Sequence, residues 1–432
     1  MTQTSIPGIM APARQAESAW ARFRRGGAGV VGLVFLVAMI LACVFSLPYT
    51  AGRVREAGAP EGMRGAPRYD HQYKTARQIP PTWWGFDASE TGEDTAKGRY
   101  ELTTRRMALE TIARGKNPSV SVETLETQNV QPTDSELKAA RPVYAMGTDL
   151  LGRDVLTRSL AGGAISLLVG LAAAAISVLL GTVYGAVSGY VGGRTDAILM
   201  RVVDVLYGLP TLLLVVLLAV AVDSLVDNRQ AARAQAASAQ RQALVEARLA
   251  ELPADKRGDE GVRGSLESQA MGTIGTGEIS YAQRQAINLA TLLVAIGGVS
   301  WLTMARVVRG QVLSLKAQPF MEAAKAMGVP VRGVFLRHLL PNLMGPIIVY
   351  ATLTVPQAIL QESFLSFLGI GVKPPMPSWG NLAADGLVEL NPFKSNWWLL
   401  LFPCLLLGTT LLALNFVGEG LREALDPKRS RR

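Results

Sequence analysis

The chain has 432 residues, of which 49% are hydrophobic and only 18% charged, against roughly 25% charged in ordinary soluble domains. This balance excludes an ordinary soluble globular protein. The net charge of +9 comes without a basic patch interleaved with aromatics, which argues against nucleic acid as a partner. Two cysteines (Cys43, Cys404) and two histidines (His71, His338) offer no disulfide framework, metal-ligand spacing or His-based catalysis. No cofactor is implied, and nothing reads as an enzyme.

A helix needs about 20 mostly apolar residues to cross a bilayer, and six stretches approach that length. Arg22, Arg24 and Arg25 precede the first, at 28–47. Two readings of it compete: a retained membrane helix, or a cleaved signal in which Ile40-Leu41-Ala42-Cys43 faintly resembles a lipoprotein cleavage box. The long arm ahead of it and the five later spans favour retention. Residues 49–145 mix Pro, Gly and charge around one aromatic cluster, Trp83-Trp84-Gly85-Phe86. The second stretch, 165–187, runs into Gly181, Gly185, Gly189 and Gly193, a spacing that predicts close packing on another helix. The third, 198–222, holds Arg201 and Asp204 three apart near one end, where they can pair or snorkel. Residues 229–250 are rich in Ala, Gln and Arg and polar nearly all round, which predicts a solvated helix or helical hairpin. The fourth stretch is 286–305. The fifth, 342–361, contains Pro346 and Pro356, which membrane helices tolerate. The sixth is 397–417.

No acid, His or Lys falls in the middle of these stretches, where ion-coupled carriers usually keep them. The chain also lacks a G-x-x-x-x-G-K-[ST] loop, so it does not bind ATP through that motif. Both observations imply that the energy comes from elsewhere. Lys and Arg cluster before the first span, in 306–338 and in the tail (Lys428, Arg429, Arg431, Arg432), which predicts that all three lie in the cytoplasm. The predicted order is then a cytoplasmic arm 1–27, a first membrane helix 28–48, an extracytoplasmic segment 49–146 and helices two and three within 147–222. An extracytoplasmic insertion 223–284 follows, then a fourth helix 285–308, a cytoplasmic loop 309–341, helices five and six within 342–418 and a cytoplasmic tail 419–432.

The cytoplasmic loop carries Phe320-Met321-Glu322-Ala323-Ala324-Lys325-Ala326-Met327-Gly328 and ends at His338-Leu339-Leu340-Pro341-Asn342. It reads as a short helix whose Ala pair leaves a thin, dockable face. Gly328 and Pro330 break it, and a second short helix returns to the membrane at Pro341. His338 reads as a solvated loop residue. Ahead of the second span stands Gly147-Thr148-Asp149-Leu150-Leu151-Gly152-Arg153-Asp154. Asp149, Arg153 and Asp154 read either as a salt-bridged turn or as substrate contacts. After the fifth span come Ser366-Phe367-Leu368-Gly369-Ile370-Gly371 and Pro374-Pro375-Met376-Pro377-Ser378-Trp379-Gly380, read as a re-entrant or interfacial segment with Trp379 at headgroup level.

These motifs, with Leu414-Asn415-Phe416 through Gly420-Leu421-Arg422 to Leu425-Asp426-Pro427, resemble the inner-membrane permeases of binding-protein-dependent ABC importers. Within them the chain is similar to the C-type subunit of dipeptide/oligopeptide systems. The resemblance implies an all-α fold with a five-helix core plus an N-terminal helix, in a bacterial inner membrane. It implies a B-type sister permease, two ATP-binding subunits and an extracytoplasmic solute-binding protein, with Glu322, Ala323, Ala324, Gly328 and Pro341 docking the ATPase. The cargo implied is a di- or oligopeptide, with nickel complexes and other solutes carried by close relatives. A secondary transporter or channel without ATPase partners is the alternative. The chain departs from the family in three places. It has Gly163-Ala164-Ile165-Ser166-Leu167 where an Arg is common. Residues 85–146 separate Ile79-Pro80-Pro81-Thr82-Trp83-Trp84 from Gly147. Residues 223–284 replace a brief loop. The insertions 87–146 and 223–284 are expected to meet above the entrance as one cap.

Overall fold

A computed structural model describes residues 19–54, 65–86, 92–116, 120–253, 257, 259–275, 280–390 and 395–425. The basic tail and the Asp426-Pro427 end of the last motif lie outside these residues. Among the described residues the regular structure is helical, apart from a two-residue antiparallel pair (Arg53–Val54 with Ala66–Pro67) and two isolated bridges. In order the helices are α1 (Ala19–Arg25), α2 (Gly27–Thr50), α3 (Ala96–Lys116), α4 (Val122–Thr127), α5 (Asp134–Ala139), α6 (Val155–Val191), α7 (Gly193–Tyr207), α8 (Thr211–Glu251) and α9 (Glu260–Ile274). Then come α10 (Tyr281–Lys316), α11 (Pro319–Ala326), α12 (Val331–Gly333), α13 (Leu340–Phe367), α14 (Trp379–Val388) and α15 (Trp398–Leu425). A π-helical turn, Val334–Leu339, joins α12 to α13. Among the described residues six helical segments are long and apolar enough to cross a membrane: α2, α6, α8, α10, α12–α13 and α15.

The spans pack by bringing backbones together at small residues. A methyl group on Gly181 would lie 2.8 Å from the Trp301 carbonyl oxygen, one on Gly185 would collide with that of Ala305, and one on Gly189 would reach Arg309 and Val312 of α10. This seam is the most extensive helix pairing among the described residues. We therefore expect Gly185→Leu to force α6 and α10 apart and to cost at least the roughly 1–3 kcal/mol of an overpacked core. Thermal unfolding of the detergent-solubilised chain measures it, and an unchanged midpoint would contradict the seam. Gly193 does not belong to this row. The helix breaks at Gly192 (φ 71°), Gly193 itself has φ 57°, and nothing lies within 4 Å of its missing Cβ. It serves the turn, where a β-carbon costs roughly 1–2 kcal/mol.

Three other expectations need correction. The third apolar stretch is two helices, because Pro210 lacks an N–H and disfavours helix at the residue before it; the span starts at Thr211. Asp204 pairs with Arg306 of α10 at 3.0 Å, not with Arg201, which is exposed. The same α7–α10 junction is clamped by Arg309, which donates to both oxygens of Asp196 at 2.6 Å. These bonds, chiefly, hold the Asp196 carboxyl below the usual carboxylate range. Finally, the fifth span is longer than expected and has a buried acid near its end, outside the middle of the stretch. α13 runs past the expected end at 361 and carries Glu362, which is fully enclosed.

Both insertions are folded. α8 continues without interruption out of its span, and α9 packs back on it around Ala237, Val245 and Ala270. Ser280 and Gln283 form a capping box where α10 begins. The other insertion packs Leu109, Ala113, Val122 and Leu125 into a small core of its own. Among the described residues α8–α9 and α3–α5 share no extensive interface, so these helices do not join into one cap.

Candidate functional site

Six alternating spans put α11 on the opposite side of the bundle from both insertions. Pro319 opens α11 at a position where its missing N–H costs nothing. Gly328, at φ 73°, closes it, with the Val329 N–H donating to the Ala324 carbonyl at 3.1 Å. Between these stops the helix is two-sided. Met321 and Ala324 are buried, while Glu322, Ala323, Ala326, Met327 and Gly328 are exposed. The Ala pair is therefore not one face: Ala323 looks outward and Ala324 is 1% exposed against the permease itself. Met321 sits in one cluster with Ala186 of α6, Val308 and Val312 of α10, and Leu343 and Ile347 of α13. A push on α11 consequently bears on three spans. His338 lies in the π-helical turn rather than in a loop, with its ring 6.5 Å from that of Phe320. The expected second short helix, α12, is not separate but runs on through the π-helical turn into the membrane helix. Pro341 stands in the first turn of α13, within a helical run that is continuous from Val331.

On the other side, the signature before α6 folds as a tight turn with a Thr148–Asp154 bridge. Gly147 and Gly152 both take φ 76°, and a β-carbon on Gly152 would strike the Tyr73 carbonyl. Asp149 is the hub. Its Oδ1 accepts from the backbone of Leu151 and Arg153 at 2.9 Å, and its Oδ2 from Arg153 Nε and Arg158 Nη1 at 2.7 Å. Arg153 also reaches Asp70 at 3.1 Å, and Arg158 lies 3.5 Å from Asp385 of α14. Asp154 caps α6, accepting from Thr157 N at 2.9 Å. Burial pushes its carboxyl up.

The remote proline stretch is brought directly onto this turn. The Thr148 N–H donates to the Ile79 carbonyl at 2.8 Å, Thr148 Oγ1 accepts from Ile79 N at 2.8 Å, and Thr82 N donates to Tyr144 O at 3.0 Å. The insertion is thus looped out between two strips of chain that remain neighbours.

The segment after α13 folds back as α14. Ser378 and Asn381 form its capping box. Trp379 does not face lipid: it is fully buried against Cys43 and Leu167 and donates to the Ser159 carbonyl at 3.0 Å. Gly163 makes room for its ring, and Gly380 rests on the backbone of Ser363. Glu362 fastens this joint. Ser366 Oγ donates to its Oε1 at 2.7 Å, Ser363 approaches Oε2 at 3.3 Å, and the hydroxyls of Ser166 and Ser378 also reach it. The residues missed from the sequence are Asp70, Arg158, Glu362 and Asp385. For Arg158 there was a signal: Asp154 three residues ahead of Thr157 is a helix start, which puts Arg158 on α6. For Asp70 and Asp385 there was none, because their partners are remote in sequence.

Among the described residues no group of His, Cys, Asp and Glu could hold a metal. The family profile described as "binding-protein-dependent transport system inner membrane component" matches residues 178–431, and that of the "N-terminal TM domain of oligopeptide transport permease C" matches 15–81. The oligopeptide transport system permease protein OppC of Haemophilus influenzae is 40% identical over 302 residues, 69% of this chain and 76% of its own. The dipeptide transport system permease protein DppC of Bacillus subtilis is 39% identical over 310 residues, 72% of this chain and 74% of its own. OppC of Escherichia coli is 40% identical over 285 residues, 66% and 72% of the two chains. With its six membrane-length helices and these matches, the chain belongs to the family of binding-protein-dependent transport system inner membrane components, as an integral membrane permease.

Proposed function

We propose that this chain forms the translocation pathway for di- or oligopeptides in an ATP-driven importer. Permeases of the family work with ATP-binding and solute-binding partners. The finer assembly we infer is a heterodimer with a B-type sister permease, two ATP-binding subunits docked at α11, and a solute-binding protein at the opposite face. The membrane is the bacterial inner membrane, and the Lys and Arg around α11 support cytoplasmic termini. The peptide cargo is supported by the names of the relatives. The observation that carries the reading is α11: an exposed Glu322–Ala323 face backed by Met321 in the core of three spans.

A single cysteine at 323 tests it. It is expected to cross-link to an ATP-binding subunit in native membranes and to resist an impermeant thiol reagent in intact cells, while cysteines within 229–250 react from outside. Purification of the chain alone, with no ATP-binding subunit cross-linked, would favour a carrier or channel.

The α8–α9 hairpin extends about 40 Å beyond residue 223 at the helical rise per residue. We assign it to contact with the binding protein. Replacing 227–283 by a Gly/Ser linker is expected to leave basal ATP hydrolysis intact and to reduce its stimulation by the binding protein. Parental stimulation in that variant would reduce the hairpin to a tolerated insertion.

A further inference from the structure

Two exposed indoles stand at the tip of the proline strip. Ile79, Pro80 and Pro81 are buried, whereas Trp83 and Trp84 are 61% and 62% exposed. The base of this wedge is fixed. Ile79 and Thr82 are bonded through their N–H groups to Thr148 and Tyr144, and the Trp84 N–H closes a turn onto the Pro81 carbonyl at 2.9 Å. Each proline ring also locks its own φ, so the strip is stiff where it leaves the core. The Trp83 indole has its polar edge tied, with Nε1–H donating to the Ala145 carbonyl at 2.7 Å. What both residues turn outward is ring, a large apolar area to leave in water.

The last span sets the height of the wedge. Trp84 stands edge-on to Trp397, ring centroids 5.1 Å apart, and Trp397 is the residue immediately before α15. Its carbonyl accepts from the Leu401 N–H at 3.0 Å, so it is already in helical register. One helical face then continues from it into the span as exposed Leu401, Leu405, Gly408 and Leu412. A face made mostly of leucines suits lipid. Where helices of this bundle meet each other they do so at small residues, as α6 and α10 do at Gly181, Gly185 and Gly189. We infer that Trp83 and Trp84 insert into the headgroup layer of the membrane on the side of the insertions, as the outer members of a belt completed by Trp397. Indoles collect at that layer because they join an apolar ring to a polar edge. The anchor sets the depth of the signature turn, because the base of the wedge is bonded to Thr148. This rests on the spans alone, not on the peptide cargo or on which face is cytoplasmic.

The test is tryptophan fluorescence of the purified full chain in phosphatidylcholine nanodiscs, with part of the lipid spin-labelled either near the headgroup or near the middle of the acyl chain. Subtracting the emission of a chain carrying both Trp83→Phe and Trp84→Phe isolates the light of these two indoles. That light is expected to be quenched at least about twofold more strongly by the label near the headgroup than by the deeper one, and to be shielded from iodide in the buffer. Should the chain with both substitutions not fold, Trp84→Phe alone supplies the subtraction. Quenching by iodide with no response to either label overturns the anchor and leaves the tip in water. If iodide then loses access when the solute-binding protein or a sister permease is added, the tip is a protein-docking surface instead. Equal or stronger quenching by the deeper label overturns the headgroup placement, and insensitivity to both labels overturns the anchor whether or not iodide reaches the rings.

Discussion

A chain carrying tryptophan at Ala323 is expected to reach the membrane at parental levels and to transport nothing above background. Ala323 is exposed on α11 beside Glu322, and a partner shaped for a methyl group cannot admit an indole. The loss of docking should be at least about 2 kcal/mol, the scale of an interface hot spot, and the ATP-binding subunit should no longer co-purify. The neighbouring substitution separates this from damage to the permease. Ala324 is buried next to Met321, so Ala324→Trp is expected to reduce the amount of folded chain rather than to release a partner from an intact one. Normal uptake by the Ala323→Trp chain would sink the docking role of α11.

The second large effect is expected at Asp149. Its side chain is 8% exposed and holds two guanidiniums at 2.7 Å, those of Arg153 and Arg158, which are 11% and 5% exposed. Removing one partner of a buried pair leaves charge without compensation, at about 3–5 kcal/mol. Against a total stability of about 5–15 kcal/mol, Asp149→Ala should deplete the chain from the membrane and lower the unfolding midpoint of what remains. Asp149→Asn keeps an oxygen for the Leu151 and Arg153 N–H groups but loses the charge, so it should fall between. Arg153→Ala should be milder than Asp149→Ala, because Arg158 keeps its bond to Asp149. If Asp149→Ala matches the parent in level and midpoint, the network is not what holds the turn to α6 and α14.

Spans, signature turn and α11 could be read from residue order because each depends on local or periodic causes. A bilayer demands some twenty apolar residues in a row, positive φ demands Gly147, Gly152 and Gly328, and a proline start with a glycine stop bounds α11. What could not be read depends on which distant residues meet. No local pattern distinguishes Ala323 from Ala324, since the orientation of α11 comes from Met321 docking among α6, α10 and α13. Nothing near residue 204 names Arg306 as its partner, nothing near 362 reveals the hydroxyls of Ser166 and Ser378, and nothing near 79 places it on Thr148 across the insertion. Gly181, Gly185, Gly189 and Gly193 show both sides at once: the four-residue spacing announced a packing face, but the chain turned at Gly192 and took Gly193 off it. Periodicity holds only while a helix continues. Where it ends, and what it then faces, is settled by the packing of the whole bundle.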